Sequence, residues 1–177
     1  MSRCIRSVFD AEWMIRAYDD GSLLCTADSR RMGKIFLASP VSSLLILLGP
    51  QKRALRLAIG RRDGGIEIRT LPKLELISKW DASLNRITAL SSLSRRDSDS
   101  ARLVCGDSRG SVFVVGDAIP GVGAQPLFTM PGEVSALRVR RDRIDAWSGW
   151  HRERRRWTGE LIGEISNRNR LQMALPV

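Results

Sequence analysis

One pattern limits what this chain can become. An apolar run of strand length, a tight turn rich in Asp and Gly, and a second apolar run recur along its length. "RLVCGDSRGSVFVVGD", Arg102 to Asp117, is the sharpest copy. "WMIRAYDDGSLLCTA" (Trp13 to Ala27) and "LRLAIGRRDGGIEIRTL" (Leu55 to Leu71) follow the same order, and "RIDAWSGWHRERRRWTG" (Arg143 to Gly159) is a weaker fourth. Glycine supplies positive φ without steric cost and Asp tolerates it, so Asp20-Gly21 and Asp63-Gly64 read as turn residues rather than paired acids. Elsewhere apolar residues alternate or cluster in strand-length runs, and no stretch reads as a helix.

Each hairpin has an apolar segment on either side. "CIRSVF", "VSSLLIL", "ITALSSL" and "VSALRVR" precede; "KIFLASP", "LELISKW", "PLFTMPG" and "ELIGEIS" follow. The expectation is an all-β chain of four units with four strands each, spanning 4–40, 41–83, 86–132 and 134–166. A spacing near the ~40–45 residues of a propeller blade, with four strands per unit, matches a WD-type β-propeller. A generic antiparallel sandwich or barrel is the rival, and the Gly-centred hairpin at one place in each unit favours the propeller. The Gly-His opening and Trp-Asp ending of WD repeats are missing, so the blades are degenerate. The tail 167–177, containing "RLQMALPV", reads as a tail or the start of a further blade, so the expectation is either a short four-bladed ring or, the favoured reading, part of a larger propeller. Open blade edges would then favour self-association.

Composition narrows the chemistry. The net charge is +10, and only four of the 29 basic residues are lysines (Lys34, Lys52, Lys73 and Lys79). Arginine's planar fork suits phosphate, although codon bias would give the same excess. Cys4, Cys25 and Cys105 are widely spaced and read as core thiols of a reducing compartment, cytoplasmic or nuclear. With no Cys-x-x-Cys pair and one histidine, His151, no metal site is expected. His151 lies among arginines and is expected at the surface. "GDAIPGVG", Gly116 to Gly123, lacks Gly-Lys-Ser/Thr and a following helix, so it reads as a loop and not a phosphate cradle. "SLSRRDSDSAR", Ser92 to Arg102, reads as a polar loop. No apolar run reaches bilayer length, and no cofactor, catalytic or membrane role is expected.

From Arg102 to about Arg170 the chain resembles a known family. "LVCGDSRGSVFVV", then the loop "AIPGVGAQ", the strand "EVSALRV", the hairpin from Arg143 and the strand "ELIGEIS" are similar to a stretch of the WD-repeat auxiliary subunit of the eukaryotic tRNA wobble-nucleotide 2′-O-methyltransferase. The resemblance implies a non-catalytic scaffold that helps a partner methyltransferase hold tRNA. In this chain an arginine run replaces the more ordinary Asp-Gly turn of the second hairpin.

That run is the candidate site. "RVRRDRIDAWSGWHRERRRW" carries Arg138, Arg140, Arg141, Arg143, Arg152, Arg154, Arg155 and Arg156, with Trp147, Trp150 and Trp157 interleaved. Arginines neutralise phosphates and tryptophans stack on unpaired bases, the composition that serves looped or single-stranded RNA. The alternatives are a solvated hairpin with tryptophans packed between blades, or a protein-interaction scaffold whose arginines meet an acidic partner.

Overall fold

The computed structural model describes residues 2–9, 13–48, 55–93, 102–116 and 123–165. Among them, every regular element is a strand, and the strands form four antiparallel four-stranded sheets, each a meander in chain order. The first sheet holds β1 (Cys4–Phe9), β2 (Met14–Tyr18), β3 (Ser22–Ala27) and β4 (Arg30–Phe36). The second holds β5 (Val41–Leu48), β6 (Leu55–Arg61), β7 (Gly65–Thr70) and β8 (Leu76–Asp81). The third holds β9 (Ile87–Leu93), β10 (Arg102–Asp107), β11 (Ser111–Gly116) and β12 (Gln125–Thr129). The fourth holds β13 (Ala136–Val139), β14 (Arg143–Ser148), β15 (His151–Arg156) and β16 (Leu161–Ile165). The first strands lie side by side in the order β1, β5, β9, β13 and make the hub. This is the β-propeller arrangement.

Strand boundaries follow the hydrophobic pattern closely, with one difference. β4 begins at Arg30, directly after a two-residue turn in which Asp28 and Ser29 have φ of 46° and 64°. It is an outer strand with little to bury, so no apolar pattern announces its polar first half. The loop expected from Ser92 to Arg102 is shorter at both ends, because Ser92 and Leu93 complete β9 and Arg102 begins β10 in the paired ladder. Its residues 94–101, the loop residues 117–122 and the tail 167–177 lie outside the described residues.

Alternation within strands sorts side chains to two faces, and each face packs on a neighbouring sheet. Ile15, Ala17, Leu23 and Cys25 of the first sheet meet Leu57 and Ile59 of the second. Ala58, Ile66 and Ile68 on the other face of the second meet Leu103, Cys105, Phe113 and Val115 of the third. Val104 and Val112 of the third meet Ile144 and Ala146 of the fourth. Three apolar layers therefore bind four sheets, and among the described residues no buried cluster joins the fourth sheet to the first.

Two local devices hold this spacing. At the hub, polar side chains staple each first strand to the next: Arg6 Nε donates to Ser42 O (3.0 Å), Ser42 Oγ to Ile87 O (2.5 Å) and Thr88 Oγ1 to Val134 O (2.6 Å). Ser135 follows in the fourth sheet, but its hydroxyl turns back to Trp147 O of its own sheet (3.1 Å). The second device is close approach at small residues. A methyl added at Gly60 would lie 2.6 Å from Ile87 Cγ2, and one at Gly106 would lie 2.5 Å from Val134 Cγ1. The turns are fixed as well: Gly64 and Gly110 have φ of 85° and 92°, and their carbonyls accept the amides of Ser83 and Met130 from the connector that follows each outer strand.

Three thiols were expected in the core, and two are there. Cys25 and Cys105 are buried, and burial pushes both thiols up, Cys105 well up. Cys4 is exposed, because it starts an inner strand at the open side of the first sheet.

The close approach gives a direct test. Gly106→Ala should lower stability by about 1–3 kcal/mol, the usual cost of overpacking. Gly163→Ala, where an added methyl meets nothing within 4 Å, should be neutral or slightly stabilising. Urea unfolding of the two variants separates them, and equal effects would show that sheet spacing does not depend on the glycine.

Candidate functional site: the outward face of the fourth sheet

The candidate residues fall on one sheet but not on one face. Register pairs Arg138 with Asp145, Asp145 with Arg154, Trp147 with Arg152, and Arg143 with Arg156. Ile144 and Ala146 face the third sheet, so alternation puts Arg138, Arg143, Asp145, Trp147, Arg152, Arg154 and Arg156 on the opposite, outward face. Arg155, His151 and Glu153 share the inward side.

The outward face departs from its counterparts. Counted from the hairpin turn, Asp145 occupies the place of Ile15, Ala58 and Val104, and Trp147 that of Ala17, Gly60 and Gly106. Arg152 and Arg154 occupy the places of Leu23 and Cys25, Ile66 and Ile68, and Val112 and Val114. The first three sheets bury these positions against the next sheet, whereas the fourth puts one acid, one tryptophan and two arginines there. Trp147 also fills the position where close approach demands a small residue.

Asp145 organises the face. It is fully buried, with its Oδ1 2.9 Å from Arg154 Nε and 3.2 Å from Arg152 Nη2. Arg140 Nε stands 3.8 Å from Oδ2, which has no hydrogen-bond partner among the described residues. Burial pushes the Asp145 carboxyl up, but the hydrogen bonds and charges of Arg154 and Arg152 outweigh it and hold it below the usual carboxylate range. The Arg152 guanidinium also stacks 5.0 Å from the centroid of Trp147. Arg143 pairs with Asp142 (3.2 Å) and Arg156 with Glu160 (3.2 Å). Arg138 and Arg141 are exposed, and among the described residues their guanidinium groups have no partner. Trp150, at the hairpin tip, is 83% exposed.

The inward members are structural. Glu153 accepts from Arg155 Nε (2.6 Å) and lies 2.9 Å from His151 Nε2, while Arg155 Nη1 donates to Gly159 O (2.7 Å). The second sheet has the same clasp: Arg69 Nε to Glu67 (2.7 Å) and Arg69 Nη1 to Leu74 O (2.8 Å). "GIEIRT" and "HRERRR" thus share Glu-x-Arg at matching places, a signal present in the sequence but hidden by the arginines around it. His151, expected at the surface, is half-buried between Glu153 and Glu164, because its place in β15 points it inward. Trp157 packs on the layer between the third and fourth sheets and donates its Nε1 hydrogen to Arg141 O (3.3 Å). Among the described residues no helix is long and apolar enough to cross a membrane.

Asp145→Asn should cost about 3 kcal/mol, the lower end for breaking a buried pair, since Arg152 and Arg154 can rehydrate. The pH dependence has a definite sign. A carboxyl whose folded pKa is depressed adds stability that is full above its unfolded value, about 3.9, and is lost as pH falls through the folded one. The gap in melting temperature between parent and D145N should therefore narrow below about pH 4. A gap that is constant down to pH 2 would show that the Asp145 charge stabilises nothing.

No family model matches the chain, and no curated protein matches it. Its likeness is to solved structures. The computationally designed Ika8 protein is 15% identical, with a TM-score of 0.72 over 92% of this chain and 49% of that one. The computationally designed Ika4 protein is 16% identical, with a TM-score of 0.68 over 84% of this chain and 87% of that one. A chain of the Mitotic Checkpoint Complex is 14% identical, with a TM-score of 0.73 over 93% of this chain and 53% of that one. The chain spans about half the length of the first and third of these. At such identities the likeness is one of fold, and the fold is the propeller.

Proposed function

We propose that the chain is a non-catalytic propeller scaffold whose fourth sheet offers its outward face to RNA. The observation that supports this is the replacement of an aliphatic packing face by arginine and tryptophan. A neighbouring apolar sheet laid there would have to desolvate arginines that Asp145 alone cannot neutralise, which is costly. A polyanion meets the same face favourably, since each phosphate neutralised releases counterions. The exposed ring of Trp150 adds a platform on which an unpaired base can stack.

The choice of RNA rests on the resemblance of Arg102 to about Arg170 to the auxiliary subunit of the tRNA wobble-nucleotide 2′-O-methyltransferase. On that reading the chain holds tRNA for a partner methyltransferase in the cytoplasm and transfers no methyl group itself. A protein scaffold with an acidic partner is the competing reading, and the salt dependence of tRNA binding separates the two.

The arginines to test are those free to meet phosphate. Replacing Arg138 and Arg141 together by Ala should flatten the logarithmic salt dependence of tRNA affinity by roughly 1.4–1.8. Trp150→Ala should weaken binding by about 1–3 kcal/mol with the slope unchanged. Affinity and slope that stay at parental values in both variants would reject the RNA reading and favour the acidic protein partner.

A further inference from the structure

A second cationic feature lies at the hub, away from the fourth sheet's outward face. A recess of about 210 Å³ opens where the inner strands begin, lined in part by Arg6, Arg62, Arg86, Thr88, Ser42 and Glu133. The arginines come from three successive sheets or their turns. Arg6 is held through its side chain, by the Nε bond to Ser42 O, whereas Arg62 and Arg86 are anchored through the backbone, the Arg62 amide to Pro40 O and the Arg86 carbonyl to the Ser108 amide. Their charged ends are less committed. Arg86 shares its charge with Glu133 at 2.8 Å, and both are about half exposed. Arg6 keeps its terminal nitrogens, and Arg62 has no side-chain partner among the described residues. Three guanidiniums thus face one carboxylate.

The hydroxyls cannot serve as free donors, because Ser42 and Thr88 already donate to the carbonyls of Ile87 and Val134. Recognition falls to the arginines, whose forks match oxyanions with several acceptors. Among the described residues no aromatic side chain lines the recess, and none is placed there to stack on a base. Its volume is below the range of about 300–1,000 Å³ that holds whole drug-sized ligands, so it suits a group rather than a whole nucleotide. Donors converging from three sheets suit a tetrahedral dianion better than a planar carboxylate.

We propose that this hub recess binds one phosphate group, with Arg62 as its principal ligand and Glu133 as a competitor for Arg86. The phosphate can come from a free small phosphate or from an RNA backbone, and the variants distinguish these sources. Calorimetric titration with inorganic phosphate should show saturable binding to one site, weakened at least about tenfold in Arg62→Glu. Glu133→Gln, which releases Arg86, should bind phosphate several-fold more tightly, and acetate should not compete. Arg62 is exposed, so R62E should melt as the parent does without phosphate, and E133Q tests the site even if R62E fails to fold. If R62E also flattens the salt slope of tRNA binding, the phosphate belongs to RNA; if the slope is untouched, it is a free phosphate. The R138A/R141A pair should leave phosphate binding intact, which keeps this site separable from the outward face. Binding at parental strength in R62E together with no gain in E133Q, or heat that never saturates, overturns the proposal.

Discussion

How closely one inner strand can approach the sheet before it determines the rest of the architecture. At Gly60 and Gly106, Ile87 of the next inner strand and Val134, just ahead of β13, come so near that a single methyl would collide. That approach brings hydroxyls such as Thr88 Oγ1 within reach of the Val134 carbonyl at the entry to the following strand. It also lets aliphatic side chains from both sheets interdigitate in dry layers. Close packing of this kind has little tolerance for added volume. A tryptophan at the equivalent position, Trp147, cannot be part of another such layer, and the charged neighbours Asp145, Arg152 and Arg154 change with it.

The arginines divide by face into two physical roles. Inward ones are clasped by buried carboxylates: Arg69 by Glu67 and Arg155 by Glu153, each also capped by a backbone carbonyl. Arg61, nearly buried, joins the same network through Glu67 at 2.8 Å and Asp63 at 3.0 Å. Such pairs satisfy charge that would otherwise be very costly to bury. Arg155 adds its guanidinium to the Phe128 ring at 4.9 Å, so its stem and charge both serve sheet packing. Outward arginines instead surround a single buried acid and keep part of their charge toward solvent. Composition alone counts both kinds as one basic cluster.

Period and alternation made the fold legible in the sequence. β1 and β9 coincide with the segments "CIRSVF" and "ITALSSL", and the four hairpins stand where Asp and Gly punctuate apolar runs. Outer strands were harder, since β4 buries too little to need an apolar pattern. The candidate site was legible as a composition but not as a geometry. Trp147 and Trp157 look alike in a string, yet one lies beneath Arg152 on the outward face and the other packs on the layer between sheets. Only register, Trp147 opposite Arg152 and Asp145 opposite Arg154, separates the groups that hold the sheet from those that face outward. The hub recess left no local signal, because Arg6, Arg62 and Arg86 belong to three separate repeats.

Asp145 explains why the outward face can be both strongly basic and ordered. Unpaired arginines crowded on one strand would repel, and long side chains lose entropy when fixed. One carboxylate beneath them offsets part of that repulsion and holds Arg152 and Arg154 by their nitrogens, with side chains 28% and 41% exposed. Fixing the guanidiniums in advance lowers the entropy that an oxyanion ligand would have to offset on binding. Arg152 is further confined by the Trp147 ring. Arg138 and Arg141 are exposed at the border of this ordered set and have no side-chain partner among the described residues. Removing the acid should therefore damage the face twice, by loosening the sheet and by releasing the arginines. Loss of the border arginines should spare the sheet and remove only charge.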